Sequence, residues 1–431
     1  MFKLKILFLF LLFTASTEKG CDDKVETSTE STSSTSTEDS NPKGGNSKEE
    51  ENVHSLKPIV TGAAQLEAYL PLLKNKNVAL LINQTSVIGE ESIVDVLLSK
   101  NISIQKIFAP EHGFRGTADA GAHIENGKDP KTGLPIISLH GSHKKPKAED
   151  MAGIDVLIFD IQDVGARFYT YISSMHYVME ACAENNVAFL VLDRPNPNGH
   201  YIDGPVLEKS HQSFVGMHPI PVVHGMTVGE YAQMINGEGW LENKQKAKLT
   251  VIPCQQYTHE TSYSLPIKPS PNLPNNRSIY LYPSLCFFEG TVASIGRGTD
   301  RQFQVIGHPD YPDDSFSFTP VPKPGASKPK LQDQLCKGLD FSTYPLIDEL
   351  RSHTQQLRIE WLISFYNKLN MGESFFNKNL FFDKLAGGER LREQIINGKT
   401  AEEIRNSWKS DLLGFQQIRK KYLLYPDFTK D

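Results

Sequence analysis

The sequence lacks the short motifs that mark several large enzyme classes. No glycine fingerprint follows the first apolar run, where Asn83-Gln84-Thr85-Ser86 stands instead, so a dinucleotide cofactor is not expected. Phosphate-loop, His-Glu-x-x-His and Gly-x-Ser-x-Gly motifs are also missing from the sequence, which argues against a nucleotide hydrolase, a zinc protease and an esterase. The sequence therefore indicates neither a cofactor nor a metal.

Cysteine and positive charge are scarce as well. The chain has five cysteines in 431 residues, and the four after Cys21 are isolated, so neither a disulfide framework nor a zinc site is expected. The formal net charge is −6, with 45 Lys and Arg against 51 Asp and Glu. Because phosphate binding needs a basic surface, nucleic acid is not expected as a partner.

The N-terminus carries an export signal. Lys3 and Lys5 precede the apolar run 6–13, which is too short to span a bilayer, and the pattern predicts a signal peptide over 1–20. Cys21 follows Gly20 where a lipoprotein signal is cut and its thiol lipidated. We expect an exported lipoprotein of the periplasm or outer membrane, attached to the membrane only through this anchor. The alternative is cleavage near Ser16, which releases a free protein.

The next segment, 21–56, is rich in Ser, Thr and Glu and has almost no large apolar residue. Such a segment buries too little surface to offset its ordering entropy, so it predicts a disordered linker.

Short apolar runs then alternate with segments of helical spacing. Strands are predicted at 78–82, 106–109, 135–139, 156–160, 187–192 and 221–223, and helices at 92–98, 171–184 and from the cap Thr227 to Ile235. Continuous apolar strands separated by helices are typical of a parallel sheet covered on both faces. We expect an α/β fold with a Rossmann-like, mostly parallel catalytic domain over 57–255. A C-terminal α+β auxiliary domain is expected over 256–431.

Polar residues follow four of the predicted strands, in segments 110–116, 160–171, 193–198 and 224–227. The carboxyl ends of parallel strands meet at one edge of a sheet, where ligands bind. Four polar clusters at one edge favour a functional pocket over separate caps and ion pairs. The substrate-binding candidates in these segments are His112, Arg115, Gln162, Asp163, Arg167, Tyr169, Asn196 and His224.

Glu111 is the leading catalytic candidate. It is flanked by His112 and Arg115, and glycines at 113 and 116 allow a tight turn. The alternative is a Glu111–Arg115 ion pair that fixes the loop.

Asp160 is a second candidate catalytic carboxyl, with an ion pair to Arg167 as its alternative; the same alternative applies to Asp163. Arg115 and Arg167 are suited to clamp a substrate carboxylate by paired hydrogen bonds. Tyr169 is expected either to stack on a sugar ring or to pack in the core.

A later group of candidates follows position 255. Asn272 lies in a proline-fixed loop and is predicted to touch substrate, and Arg297 is a third arginine able to bind a carboxylate. Glu289 is a further candidate catalytic carboxyl; the alternatives are a helix-terminal cap or an ion pair with Arg297.

Six ordered segments together resemble a known family. Segments 111–116, 160–171, 192–198, 216–230, 270–274 and 282–303 are similar to the NamZ-type exo-β-N-acetylmuramidases, and the resemblance covers almost the whole chain after the linker.

The resemblance implies a Rossmann-like domain with a C-terminal auxiliary domain and a pocket in the cleft between them. It implies hydrolysis of the β-1,4 bond after a non-reducing terminal N-acetylmuramic acid, so the expected partners are peptidoglycan fragments such as MurNAc–GlcNAc and muropeptides. The family's proposed catalytic glutamate, in its Glu-His-Gly motif, matches Glu111. The competing hypotheses are a non-catalytic muropeptide-binding lipoprotein and an amidase acting on the same polymer.

Overall fold

The computed structural model of the chain describes residues 58–114, 126–344 and 355–428. The predicted signal peptide, the linker, Cys21 and Arg115 lie outside these residues. A seven-stranded sheet organises the first half of the described chain. Its strands and those of a small hairpin are β1 (Asn77–Ile82), β2 (Val87–Ile88), β3 (Glu91–Ser92), β4 (Ser103–Ala109), β5 (Gly127–Lys128), β6 (Pro135–Ser138), β7 (Val156–Asp160), β8 (Ala188–Leu192) and β9 (Lys248–Ile252).

The strand order of the large sheet is β5-β6-β4-β1-β7-β8-β9, and every neighbouring pair except β5–β6 is parallel. Without the antiparallel edge strand β5, the order is that of a doubly wound Rossmann sheet. The expected Rossmann-like, mostly parallel α/β fold is therefore confirmed.

Helices cover both faces of this sheet: α1 (Leu66–Leu73), α2 (Ile93–Ser99), α3 (Ala148–Met151), α4 (Tyr171–Glu184) and α5 (Val228–Gly237). Side chains alternate along each strand, so β1 buries Ala79 and Leu81 in one core and Val78, Leu80 and Ile82 in the other. Burial on both faces is the reason these strands are continuous apolar runs.

Sequence patterns located most of these elements. The helix at 171–184 matches α4, and α5 begins after Thr227, whose hydroxyl accepts a hydrogen bond from the Glu230 amide. The strand predicted at 221–223 is wrong: Val223 makes only isolated bridges to Ala166 and Asp203, and β9 is the last strand of the sheet.

The second half of the described chain is built of helices and a small antiparallel sheet. Its elements are α6 (Asn276–Leu285), β10 (Val305–His308), β11 (Ser317–Phe318), β12 (Cys336–Asp340), α7 (Ile359–Leu369), α8 (Phe381–Ala386), α9 (Arg390–Ile396) and α10 (Ala401–Arg419). Aromatic residues of this half, such as Phe288 and Phe365, share one core with α4 and α5. Among the described residues, no helix combines the length and apolarity needed to cross a membrane.

Candidate active site

A cavity of about 820 Å³ lies between the loops that follow β4 and β7 and the second half of the chain. Its volume is in the range of pockets that hold a small organic ligand. The polar side chains of the described residues that line it are Glu111, His112, Tyr169, Thr170, Tyr171, Ser270, Asn272, Tyr282, Glu289, Ser294, Arg297, Ser327, Lys328 and Lys330.

Glu111 reaches this cavity from a tight turn at the end of β4. His112 and Gly113 both have positive φ, 69° and 75°, and the Gly113 amide donates to the Pro110 carbonyl at 2.9 Å. The turn accounts for the glycine at 113, because few other residues adopt this conformation without strain. It reverses the chain at the sheet edge, so that Glu111 and His112 both line the cavity.

Thr170 fixes the Glu111 carboxyl. Its hydroxyl donates to Glu111 Oε2 at 2.9 Å, and Thr170 is the residue directly before α4. The carboxyl therefore lies near the positive end of a 14-residue helix, which favours negative charge. Burial, followed by the charge of Glu111, raises the pKa of the neighbouring Tyr171. That tyrosine is thus a neutral hydroxyl beside the carboxyl.

Glu289 and Arg297 form an ion pair on the wall supplied by the second half of the chain. Arg297 Nε and Nη2 lie 2.7 and 2.6 Å from Glu289 Oε1. Burial tends to lower the pKa of Arg297, but the adjacent Glu289 outweighs it and raises that pKa. The guanidinium also lies over the Phe303 ring, 5.2 Å from its centre. The ion pair that sequence offered as an alternative is present, and both of its members line the cavity.

Two further residues predicted from sequence, Asn272 and Tyr169, line the cavity. Asn272 Nδ2 donates to the Gly325 carbonyl at 2.8 Å, which ties the loop 269–274 to the loop 320–330. Tyr169 lines the cavity while its ring packs edge-on against Tyr171 and Tyr282, with centroids 5.0 and 5.7 Å apart. Tyr169 therefore packs against core aromatic rings and also lines the cavity.

Asp160 and Gln162 are not brought to the cavity. Asp160 is fully buried and accepts from Arg194 Nε at 2.5 Å and Nη2 at 2.9 Å, so its partner is Arg194 and not Arg167. The side-chain amide of Gln162 donates through Nε2 to the carbonyls of Asp163 and Pro195, both at 2.8 Å. These contacts join the end of β7 and the segment after it to the segment that follows β8.

Asp163 lies behind the cavity wall. Its Oδ2 accepts from the Gly165 amide at 2.7 Å, and burial raises the pKa of its carboxyl to about 7 despite the backbone hydrogen bonds. A raised carboxyl pKa is common at active sites, but Asp163 is not among the residues that line the cavity.

Arg167, Asn196 and His224 are also not among the residues that line the cavity. Arg167 donates through Nη1 to the carbonyls of Pro205 and Ile220, and through Nη2 to that of Leu385, at 2.7 to 2.8 Å. The side-chain amide of Asn196 donates through Nδ2 to the Met226 carbonyl at 2.9 Å. Burial lowers the pKa of His224 to about 3, so this ring is uncharged at neutral pH. The arginine expected to clamp a carboxylate instead spans three backbone segments.

Sequence reasoning missed several residues of the site, among them Thr170, Lys328 and Lys330. Thr170 lies in the polar segment 160–171, but no sequence pattern distinguishes its hydroxyl from that of any other threonine. Lys328 and Lys330 belong to the proline-rich segment between β11 and β12, where neither periodicity nor a motif distinguishes them.

A Rossmann-like sheet with two carboxyls on one sugar-sized cavity has the parts that a glycosidase needs. The N-terminal and C-terminal models of the exo-beta-N-acetylmuramidase NamZ match residues 78–277 and 280–425. The peptidoglycan beta-N-acetylmuramidase NamZ of Bacillus subtilis (strain 168) is 39% identical over 384 residues, which are 84% of this chain and 89% of that protein. The chain therefore belongs to the NamZ family of exo-β-N-acetylmuramidases.

Solved structures agree with this assignment. A DUF1343 family protein from Bacteroides fragilis NCTC 9343 matches with a TM-score of 0.79 and 48% identity, over 86% of this chain and 99% of that one. A second DUF1343 family protein from the same strain has a TM-score of 0.71 and 30% identity, over 85% and 99% of the two chains.

Proposed function

We propose that this protein is an exo-β-N-acetylmuramidase that releases N-acetylmuramic acid from the non-reducing end of peptidoglycan fragments, with Glu111 as its general acid and base. The observation that carries the proposal is that Glu111 and Glu289 line the same cavity, each held by a separate partner. Family membership supports the bond cleaved, since the Bacillus subtilis relative is named for this activity.

In the proposed reaction the Glu111 carboxyl gives its proton to the departing glycosidic oxygen as the bond to the anomeric carbon breaks. Filling the cavity with sugar displaces water from Glu111, and desolvation favours the protonated form that an acid requires. Thr170 keeps the carboxyl oriented during this step. Glu111 then accepts a proton from the water that completes hydrolysis.

Glu289 is the second carboxyl in this proposal. Its ion pair with Arg297 holds the carboxyl on the wall supplied by the second half of the chain, where a carboxylate would stabilise the positive charge that develops at the anomeric carbon. Asp160 and Asp163, the other acidic candidates, are assigned structural roles because neither lines the cavity. The acetamido oxygen of the substrate remains the alternative partner for the anomeric carbon.

The test compares two leaving groups in Glu111→Gln. General acid catalysis contributes roughly 10²- to 10⁴-fold, so kcat/KM for a MurNAc–GlcNAc disaccharide should fall by that factor. A dinitrophenyl muramide needs little protonation, so its rate should fall far less. The matched control is Glu90→Gln, an exposed carboxyl away from the cavity, which should leave both rates unchanged. Equal losses on the two substrates would exclude Glu111 as the acid.

The same assay separates the enzyme from a non-catalytic muropeptide-binding protein. A wild-type protein that binds muropeptides in calorimetry yet releases no N-acetylmuramic acid would establish the binding protein. A wild-type protein that removes the stem peptide and leaves the glycan intact would establish an amidase.

We further propose export through the signal peptide 1–20 and attachment of lipid at Cys21, on the pattern of basic, apolar and Gly-Cys residues. Mass spectrometry of the mature N-terminus tests this. A chain that starts at an acylated Cys21, and is released from membranes by Cys21→Ser, is expected; an unmodified N-terminus near Ser16 would show the soluble alternative.

A further inference from the structure

Among the residues that the structure describes, Arg297, Lys328 and Lys330 are the Lys and Arg side chains that line the cavity, and two of them already have anionic or carbonyl partners. Arg297 is paired with Glu289. The Lys330 ammonium donates to the carbonyls of Thr291 at 2.5 Å, Glu289 at 3.2 Å and Phe288 at 3.4 Å. These contacts hold the 3-10 helix that carries Glu289, so Lys330 acts as a structural clamp.

Lys328 differs from both. It lines the same cavity and is exposed, and its ammonium makes no hydrogen bond or ion pair with the parts of the chain that the structure describes. An ammonium at a cavity wall with no anion beside it is a site for an anionic group of the ligand.

The backbone around Lys328 is fixed, although its side chain is exposed. Pro329 is buried against Gly298, where a side chain on that glycine would overlap it. The preceding turn is closed by paired backbone hydrogen bonds between Lys323 and Ala326, and Gly325 lies so close to Pro271 that any larger residue would clash. The backbone of Lys328 is therefore held in place by Gly325 on one side and Pro329 on the other.

We propose that Lys328 binds the carboxylate of the substrate and thereby selects an acidic sugar over a neutral N-acetylhexosamine. The inference rests on the proposed function, because the lactyl carboxylate is what distinguishes N-acetylmuramic acid from N-acetylglucosamine. It assigns to Lys328 the task that sequence gave to Arg115, Arg167 and Arg297.

The experiment pairs a chromogenic muramide with its lactyl carboxamide, which has the same shape without the charge. In Lys328→Gln, kcat/KM for the acid should fall roughly 10- to 100-fold, the value of a hydrogen bond to a charged group. The rate on the carboxamide should not change, and Lys328→Arg should restore most of the preference. The matched control is Lys323→Gln, in the same loop and paired with Asp300 outside the cavity. Equal losses on both substrates, or an unchanged preference, would overturn the proposal.

Two further measurements keep the outcome clear. A muramyl dipeptide substrate has its lactyl carboxyl in an amide bond and its free carboxylates on the peptide; dependence on Lys328 that appeared only with this substrate would overturn the lactyl assignment. Calorimetric binding of free N-acetylmuramic acid and its carboxamide needs no turnover. A charge preference in binding that is lost in Lys328→Gln would uphold the inference even if the wild-type protein hydrolysed nothing, which would refute the proposed function alone.

Discussion

The Thr170 hydroxyl donates to Glu111 Oε2 over 2.9 Å and joins the residue before α4 to the turn after β4. Two separate strand ends of the sheet thereby meet at one carboxyl. The hydrogen bond fixes the orientation of the Glu111 carboxyl at the cavity wall.

Thr170→Val tests this positioning. The substitution keeps the shape and removes the donor, so we expect kcat on the disaccharide to fall roughly tenfold or more with little change in KM. The pH optimum should also move to higher pH, because losing a donor to the carboxylate disfavours its charged form. Thr170→Ser keeps the hydroxyl and should retain most of the rate. A merely structural role would leave the pH profile of Thr170→Val where it was.

The Glu289–Arg297 pair is tested by a double-mutant cycle. Glu289→Gln and Arg297→Met should each lower kcat/KM, and the double variant should lose much less than the sum of the two losses. A coupling energy of about 1–3 kcal/mol is expected for residues in direct contact. Strict additivity of the two losses would show that the residues act independently.

The Asp160–Arg194 pair should matter for stability and little for substrate binding. Arg194→Met leaves a fully buried carboxylate without its partner, and we expect the free energy of unfolding to fall by about 3–5 kcal/mol. The control is Arg301→Met, which breaks the exposed pair with Asp340 and should cost at most about 1 kcal/mol. Urea unfolding measures both, and a KM changed strongly in folded Arg194→Met would assign Asp160 to the site after all.

Asp163 should make stability depend on pH. Its folded pKa is raised to about 7 by burial, so the folded state holds a proton that the unfolded chain releases near pH 4. The contribution of this group to stability is therefore complete at low pH and is lost as pH rises to about 7.

Asp163→Asn should lack this slope. Relative to the variant, the wild-type protein should lose up to about 4 kcal/mol of unfolding free energy between pH 4 and pH 7. Urea titrations across this range measure it, since all other ionisable groups are common to both proteins. A constant difference between the two proteins would contradict the raised pKa.

Sequence patterns predicted the inner strands of the large sheet and missed its edge strands β5 and β9. β7 is buried along its whole length and reads as one apolar run, but β9 is an edge strand with exposed Lys248 and Thr250 and was missed. The run 221–223 begins with Pro221, and of its residues only Val223 makes bridges, which are isolated. Apolar character therefore indicated burial there but not a strand.

Sequence also predicted some residues of the site correctly and assigned others wrongly. Glu111 and Arg297 were found because they stand in compact motifs, and both line the cavity. Arg167 was assigned to substrate because its charge suggested a ligand, whereas its partners are carbonyls 38, 53 and 218 residues away. Partners at such separations are determined by tertiary packing, which leaves no local trace in the sequence.

The division of labour between the two halves of the cavity has an evolutionary consequence. Glu111 lies in the turn after β4 in the first half, while Lys328 lies on an anchored loop of the second half. Relatives can exchange the residue at that loop position and adapt to sugars of another charge without disturbing the proton donor. Homologues that act on different sugars are therefore expected to diverge first in the loop around Lys328. Replacing this loop with the loop of such a homologue is a starting point for altering the substrate range.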